Sequence, residues 1–406
     1  MNNKLLHTPE GVRDIYNGEC TRKNVLQEKL REQLKSYGYE DIQTPMFEFF
    51  DIFNTEIGTV SSKDMYKFFD REGNTLVLRP DITPSIARVV AKCFGEEQIP
   101  MRFSYMGNTF INNSSLQGLM KETTQIGAEL VGDDSTDADG ELVALAIDML
   151  LKSGLTQFQL DIGHVGFFNG IVEESGMNSA LESELRALIE SKNFFGVEEL
   201  VGSLPMKPGL KTVFLKLPEM FGTKDVLEMA KGLTSNPKAL GAINRLEKVY
   251  DVLDTYGFQK YVTFDLGMLT EYDYYTGIIF RGYTYGTGDA IVKGGRYNNL
   301  IGQFGKDAAS VGFALVVDRL MTALSRQKIE IPVTDVRFML LYPGNLLKRA
   351  IDLAKEYRKQ GILVAMIRKN ESLSLVHYKD YAKSHQIQRI VCLEPDTETG
   401  EIEVEL

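Results

Sequence analysis

The chain has 406 residues, of which 43% are hydrophobic and 25% charged, and its net charge is −11. That length exceeds one ordinary domain and can bury a large core without disulfide or metal staples. The negative charge excludes a broad phosphate-binding surface, whose affinity comes from Lys and Arg, and points to small molecules or proteins as partners.

The first residues, MNNKLLHTPEGVRD, lack a basic region followed by an apolar run, so no signal peptide is expected. Residues 20–37 have helical spacing, with Val25, Leu26, Leu30 and Leu34 on one face, and Gly38 ends that helix. YEDIQTPMFEFFD reads as a strand interrupted by Pro45. TLVLRPDITPSIARVVAKCF reads as strand, turn and helix, with Thr83 as N-cap and Pro84 as first helical residue. MRFSYMGNTFIN and ETTQIGAELVG read as strands, DADGELVALAIDMLLKSG as a helix ended by Gly154, and TQFQLDIGHVG as a strand.

From about 168 to 255 helix follows helix, which predicts an inserted helical subdomain. Strands resume at KYVTFDLG; TGIIFRGYTYG reads as a hairpin, KGGRYNNLIGQFG as a Gly-rich segment, and ASVGFALVVDRLMTALSRQ as a buried strand or helix start running into a helix. Residues 326–335 read as a linker. Beyond them RFMLLYPG, ILVAMIRK and RIVCLEP alternate with amphipathic helices, the pattern of a small α/β domain with a mostly parallel sheet, and TETGEIEVEL forms an acidic, hairpin-like tail. The expected organisation is an α+β core over 1–325, a linker over 326–335 and a small α/β domain over 336–406.

No run approaches about 18 apolar residues, so no membrane span and a cytoplasmic protein are expected. Cys20, Cys93 and Cys392 lie far apart and form no CxxC, which favours reduced, buried thiols. His7, His164, His377 and His385 form no metal-binding pair, so no metal is expected.

Four segments stand out chemically. LRPDITP (78–84) sets Arg79, Asp81 and Thr83 at a strand-to-helix turn, where the carboxylate and the hydroxyl could grip an ammonium group; a capped helix start with an ion pair is the better reading of this segment alone. QIGAE (125–129) puts Gln125, Gly127 and Glu129 on one strand face. If that face is buried, Glu129 needs a partner or a ligand; a solvated face is equally compatible. EYDYYTG (271–277), with Tyr274 and Tyr275, offers ring faces and hydroxyls suited to an imidazole or nucleobase, or simply a Tyr-rich core strand. KGGRYNNL (293–300), with Tyr297, can bring backbone close to a ligand but is neither a Walker A loop nor GxGxxG.

Taken in order, these segments resemble the histidyl-tRNA synthetase family over nearly the whole chain. TPEGVRD (8–14) resembles its N-terminal signature, and YGYEDIQTPMFE (37–48) the first class II motif, which builds the dimer interface. LRPDITPSIAR (78–88) resembles its LRPEGT segment, and YMGNTF…QIGAELVG (105–132) lies where the second motif falls. DYYTGIIF (273–280), GGRYNNL (294–300) and VGFALVVDRL (311–320) resemble the histidine-specific motif, the following Gly-rich segment and the third class II motif. The resemblance implies a class II synthetase-like antiparallel sheet core. It also implies that Asp81, Thr83 and Gln125 hold an α-ammonium while Glu129, Tyr274, Tyr275 and Tyr297 frame an imidazole.

The departures bear on activity. Where the family has FRxE, this chain has Phe110-Ile111-Asn112-Asn113, and the basic GRxR segment is Gly118-Leu119-Met120-Lys121. The activating Arg before the Tyr pair falls at Thr270, leaving Arg319 as residual nucleotide-site arginine. Adenylate formation relies on positioned cations, so no catalytic residues and negligible histidine activation are expected.

Retained recognition with lost chemistry resembles the synthetase paralogues that serve as regulatory subunits of the short-form ATP phosphoribosyltransferase. That implies a non-catalytic partner of the short catalytic subunit, needed for its activity and for feedback inhibition by histidine. It implies a homodimer of this chain within a hetero-oligomer, with no cofactor, nucleic acid or membrane. The C-terminal domain occupies the place of a shortened anticodon-binding domain. A divergent histidyl-tRNA synthetase and a histidine sensor for another partner are the competing expectations.

Overall fold

The computed structural model describes residues 6–53, 60–113, 119–269 and 274–395, and the backbone of 401–404. The chain divides into two compact units, one of Met1–Arg13 with Leu26–Glu330 and one of Asp14–Val25 with Ile331–Leu406.

The larger unit is α+β. Helix α1 (Asn17–Ser36) buries Leu26, Leu30 and Leu34 here, and Gly38 follows it with φ +79°. Then come β1 (Glu40–Asp41), β2 (Phe47–Phe49), β3 (Lys67–Phe69), β4 (Thr75–Leu78), α2 (Thr83–Cys93), β5 (Met101–Phe110), β6 (Glu122–Val131), α3 (Thr136–Lys152) and β7 (Phe158–His164). Helices α4 (Val165–Ser175), α5 (Ser179–Glu190), α6 (Phe194–Ser203) and α7 (Pro208–Lys216) follow, then a two-residue strand β8 (Phe221–Gly222), α8 (Asp225–Lys231) and α9 (Pro237–Thr255). The unit closes with β9 (Val262–Asp265), β10 (Ile278–Thr284), β11 (Val292–Arg296), β12 (Ser310–Val316) and α10 (Val317–Arg326).

A nine-stranded sheet has the order β1-β5-β6-β12-β11-β10-β7-β9-β8. Its body is antiparallel; β1–β5 and β7–β9 are parallel. Helix α3 packs on this sheet and on α9. Ser135 caps it by accepting the Ala138 N–H at 3.1 Å. A separate small sheet has the order β2-β4-β3.

Several local expectations change. TGIIFRGYTYG is one strand, β10, not a hairpin, and its partner is the Gly-rich KGGR, which is β11. Glycine weakens a strand in isolation, but close packing of both faces overrides that cost. Thr83 is not the cap of α2; it is the first helical residue, and the Asp81 carboxylate accepts the N–H groups of Ile82 (2.6 Å) and Thr83 (3.3 Å). The shorter acid sits closer to the helix start and leaves the threonine hydroxyl free for another acceptor. The helical stretch also gives one strand, β8, to the sheet. Among the thiols only Cys392 is buried; Cys20 is half-buried and Cys93 exposed.

The smaller unit holds β13 (Arg337–Tyr342), α11 (Leu347–Lys359), β14 (Leu363–Arg368), α12 (Leu375–Ser384), β15 (Arg389–Leu393) and β16 (Glu401–Val404). The order is β14-β13-β15-β16, parallel except for β16. Strand alternation sends Phe338, Leu340, Val391 and Leu393 toward Ala350 and Ala354 of α11, and Met339, Leu341, Ile390 and Cys392 toward Tyr378 and Ala382 of α12. Among the described residues no helix is long and apolar enough to cross a membrane.

Candidate functional site

The site is built on adjacent strands of the large sheet. Register sets Gly312 of β12 opposite Glu129 of β6, and Gly295 of β11 opposite Gly312. A Cβ on Gly312 would stand 1.6 Å from Glu129 Oε2, and one on Gly295 would stand 2.7 Å from Tyr275 Cε1. The carboxylate therefore lies over one glycine and the Tyr275 ring over the other, in space that any side chain would fill.

Glu129 is 1% exposed. A carboxylate so placed needs donors, and it has them: Thr83 Oγ1 donates to Oε1 at 2.8 Å, and the Tyr297 hydroxyl donates to Oε2. Burial pushes its pKa from 4.5 to about 8; those two bonds pull it down and the Asp81 charge pushes it further up. Asp81 is also raised by burial, opposed by the N–H groups of Thr83 and Ile82 and the charge of Arg79. Tyr274 stands edge-on to Tyr297 at 5.9 Å and tilted against Tyr275 at 4.7 Å.

These groups line one cavity of about 80 Å³. That volume admits roughly half a dozen water-sized spheres, the scale of a small polar metabolite rather than a nucleotide. Asp81, Thr83, Gln125, Glu129, Tyr274, Tyr275 and Tyr297 all line it, as do Ile111 and Lys293. Gln125 Oε1 is buried and has no hydrogen-bond partner among the described residues. Such an oxygen is costly unless a ligand donates to it.

The other residues singled out from the sequence lie elsewhere. Arg319 Nη1 donates to Ala290 O at 2.8 Å and pairs with Asp289 at 2.8 Å, and it does not line the cavity. Arg79 is bound to Thr44 O and Asn108 O, each at 2.9 Å, so it ties the segment between β1 and β2 to β5. Arg296 of the GGRY segment is buried in ion pairs with Asp139 and Asp134. Gly118 and Thr270 lie outside the described residues. Sequence reasoning missed Lys293, although alternation along β11 already puts it on the face of Gly295.

The Histidyl-tRNA synthetase family model matches residues 11–320. The ATP phosphoribosyltransferase regulatory subunit of Acetivibrio thermocellus is 41% identical over 359 residues, which are 88% of this chain and 86% of that protein. The protein of the same name from Clostridium acetobutylicum is 37% identical over 412 residues, 100% of this chain and 98% of its own. Among solved structures, an ATP phosphoribosyltransferase regulatory subunit/histidyl-tRNA synthetase from Bacillus halodurans superposes with TM-score 0.85 at 31% identity, covering 96% of this chain and 98% of that one.

Proposed function

The chain belongs to the histidyl-tRNA synthetase family and, within it, to the ATP phosphoribosyltransferase regulatory subunits, and from that premise we propose that it is the histidine-sensing subunit of the enzyme that opens histidine biosynthesis. Its partner is the catalytic ATP phosphoribosyltransferase subunit, of the short form, and histidine bound in the cavity is the inhibitory signal. The observation that carries this reading is a cavity that gathers two raised carboxyls, an amide oxygen with no partner among the described residues, and a Tyr cluster.

An amino acid with a basic ring fits that chemistry. Asp81 and Gln125 accept from its ammonium, and Glu129 and the tyrosines frame the imidazole. Synthetase activity of its own is lost in this reading. Ile111 lines the cavity where the family motif has Arg, and Lys293 is the one cation among the described lining residues. Adenylate formation needs several positioned cations.

The decisive assay follows phosphoribosyl-ATP formation by the short catalytic subunit. Adding this chain is expected to raise the rate, and adding histidine to suppress it; no change on adding the chain would sink the reading. Histidine-dependent ATP–pyrophosphate exchange is expected to stay at background, and a clear signal there would favour a divergent synthetase.

The cavity also has a pH signature. Free Glu129 holds its proton below a pKa of about 8, and pairing with a ligand cation requires releasing it. Histidine affinity is therefore expected to rise with pH up to the imidazole pKa, about 6.5, with proton release visible by calorimetry in buffers of different ionisation enthalpy, and to level off from there to pH 8, where the proton passes from Glu129 to the ring. A flat profile would remove Glu129 from direct contact with the ligand.

The chain pairs with a second copy of itself in this proposal. Register puts Phe47, Phe49 and Phe68 on one face of the small sheet, and they are 53%, 54% and 37% exposed. An aromatic patch of that kind marks a contact surface. Phe47→Asp with Phe49→Asp is expected to convert a dimer to a monomer in sedimentation; a variant dimer would put the contact elsewhere, and a wild-type monomer would overturn the pairing.

A further inference from the structure

We infer that Lys293 binds the α-carboxylate of the effector and so selects an intact amino acid over its decarboxylated or reduced analogues; this rests on the histidine reading of the cavity. A zwitterion brings a carboxylate into the site as well as an ammonium. Burying that carboxylate without a donor is costly. The carboxyls of Asp81 and Glu129 and the Gln125 oxygen repel it. Lys293 is the cation among the described lining residues.

Its position suits the task. Lys293 pairs with Ala314 of β12, and Ala314 with Gly127 of β6. It therefore projects from the same face as Glu129, one pair of residues along the sheet. At a rise of about 3.4 Å per residue, the two rows lie roughly 7 Å apart, the scale of an extended amino acid with a ring at one end and a carboxylate at the other. On its other flank Lys293 pairs with Arg281 of β10, which donates to Leu269 O at 3.0 Å. Arg281 in turn faces Asp161 of β7, which answers its charge.

Lys293 is also free to exchange its present contact. Its ammonium stands 3.5 Å from Asp289 Oδ2, with both side chains about two-fifths exposed, while Arg319 holds the same oxygen at 2.8 Å. Asp289 keeps a cation when Lys293 turns to a ligand, and a solvated pair of that length contributes little.

The test compares histidine with histidinol, which replaces the carboxylate by a hydroxymethyl group, by titration calorimetry on the full chain. Wild type is expected to prefer histidine by about tenfold or more, the worth of one charge-assisted hydrogen bond. In Lys293→Met the preference falls toward one, and Lys293→Arg restores most of it. Thermal unfolding should be unchanged in both, because the side chain is partly exposed. A Lys293→Met variant that keeps the wild-type preference overturns the assignment. Equal wild-type affinity for both ligands also overturns it, yet leaves the cavity a histidine site; wild type binding neither ligand overturns the histidine reading with it.

Discussion

Glu129→Ala is expected to weaken histidine binding by roughly a hundredfold, and with it the inhibition of the partner enzyme. The loss has two parts. A charge-assisted contact to the ligand disappears, worth about 1.5–3 kcal/mol. The hydroxyls of Thr83 and Tyr297, which donate to Glu129, are buried and lose their acceptor, so the frame around the imidazole loosens. Titration calorimetry reads the affinity, and normal binding by the variant would mean the effector lies elsewhere.

The same residue sets a stability profile whose sign is fixed by its raised pKa. The unfolded carboxyl titrates near 4.5 and the folded one near 8. Below 4.5 both states carry the proton. Between 4.5 and about 8 the folded state keeps a proton that the unfolded state has released, so this contribution to stability declines as pH rises and is lost above the folded value. The difference between wild type and Glu129→Gln in denaturant unfolding isolates it: wild type should lose stability relative to the amide variant as pH rises across that window. Parallel curves would contradict the raised pKa.

The second large effect lies beneath the site. Asp139→Asn is expected to destabilise the fold by about 3–5 kcal/mol, the cost of leaving a buried charge without its partner. Asp139, in the first turn of α3, is 0% exposed. Arg296 Nε meets Oδ1 at 2.7 Å and Arg245 Nε meets Oδ2 at 2.6 Å. Arg296 is itself 1% exposed. With an amide at 139 the only carboxylate left to its guanidinium among the described residues would be the exposed Asp134, beside the neutral acceptors Asp133 O, Ser135 O and Asn298 Oδ1. Arg296 adjoins Tyr297, so the variant is also expected to disturb the Tyr297–Glu129 bond and weaken histidine binding. Urea unfolding measures the first effect. A loss under about 1 kcal/mol, the range of exposed pairs, would show that the cluster is not a buried anchor.

Some of this was written locally in the chain. Helical spacing fixed α1 and α3, because apolar residues every third or fourth position must share a buried face. Strand alternation placed Gln125 and Glu129 on one face before any fold was known. The order of LRPDITP, QIGAE, DYYTG and GGRY carried the family resemblance, since ordered segments at matching spacing constrain a chain far more than any one of them.

What the sequence left open depends on contacts between residues far apart in the chain. Arg79, Arg296 and Arg319 stand in segments that the sequence singles out, yet each is engaged by distant partners: the Thr44 and Asn108 carbonyls, Asp139 and Asp289. Lys293 looked like the flank of a glycine pair, and only the register of β6, β12 and β11 sets it beside the cavity. Thr83 follows cap preference by residue type, but packing brings Glu129 within reach of its hydroxyl and leaves the Asp81 carboxylate to accept the Ile82 and Thr83 N–H groups, with Ile82 at the cap position. The sequence by itself determined which residues share a face and which chemistry is present, because those follow from neighbours a few residues away. Tertiary structure decided which charges are already paired and which meet the cavity, because burial and partnership are properties of strands brought together across the sheet.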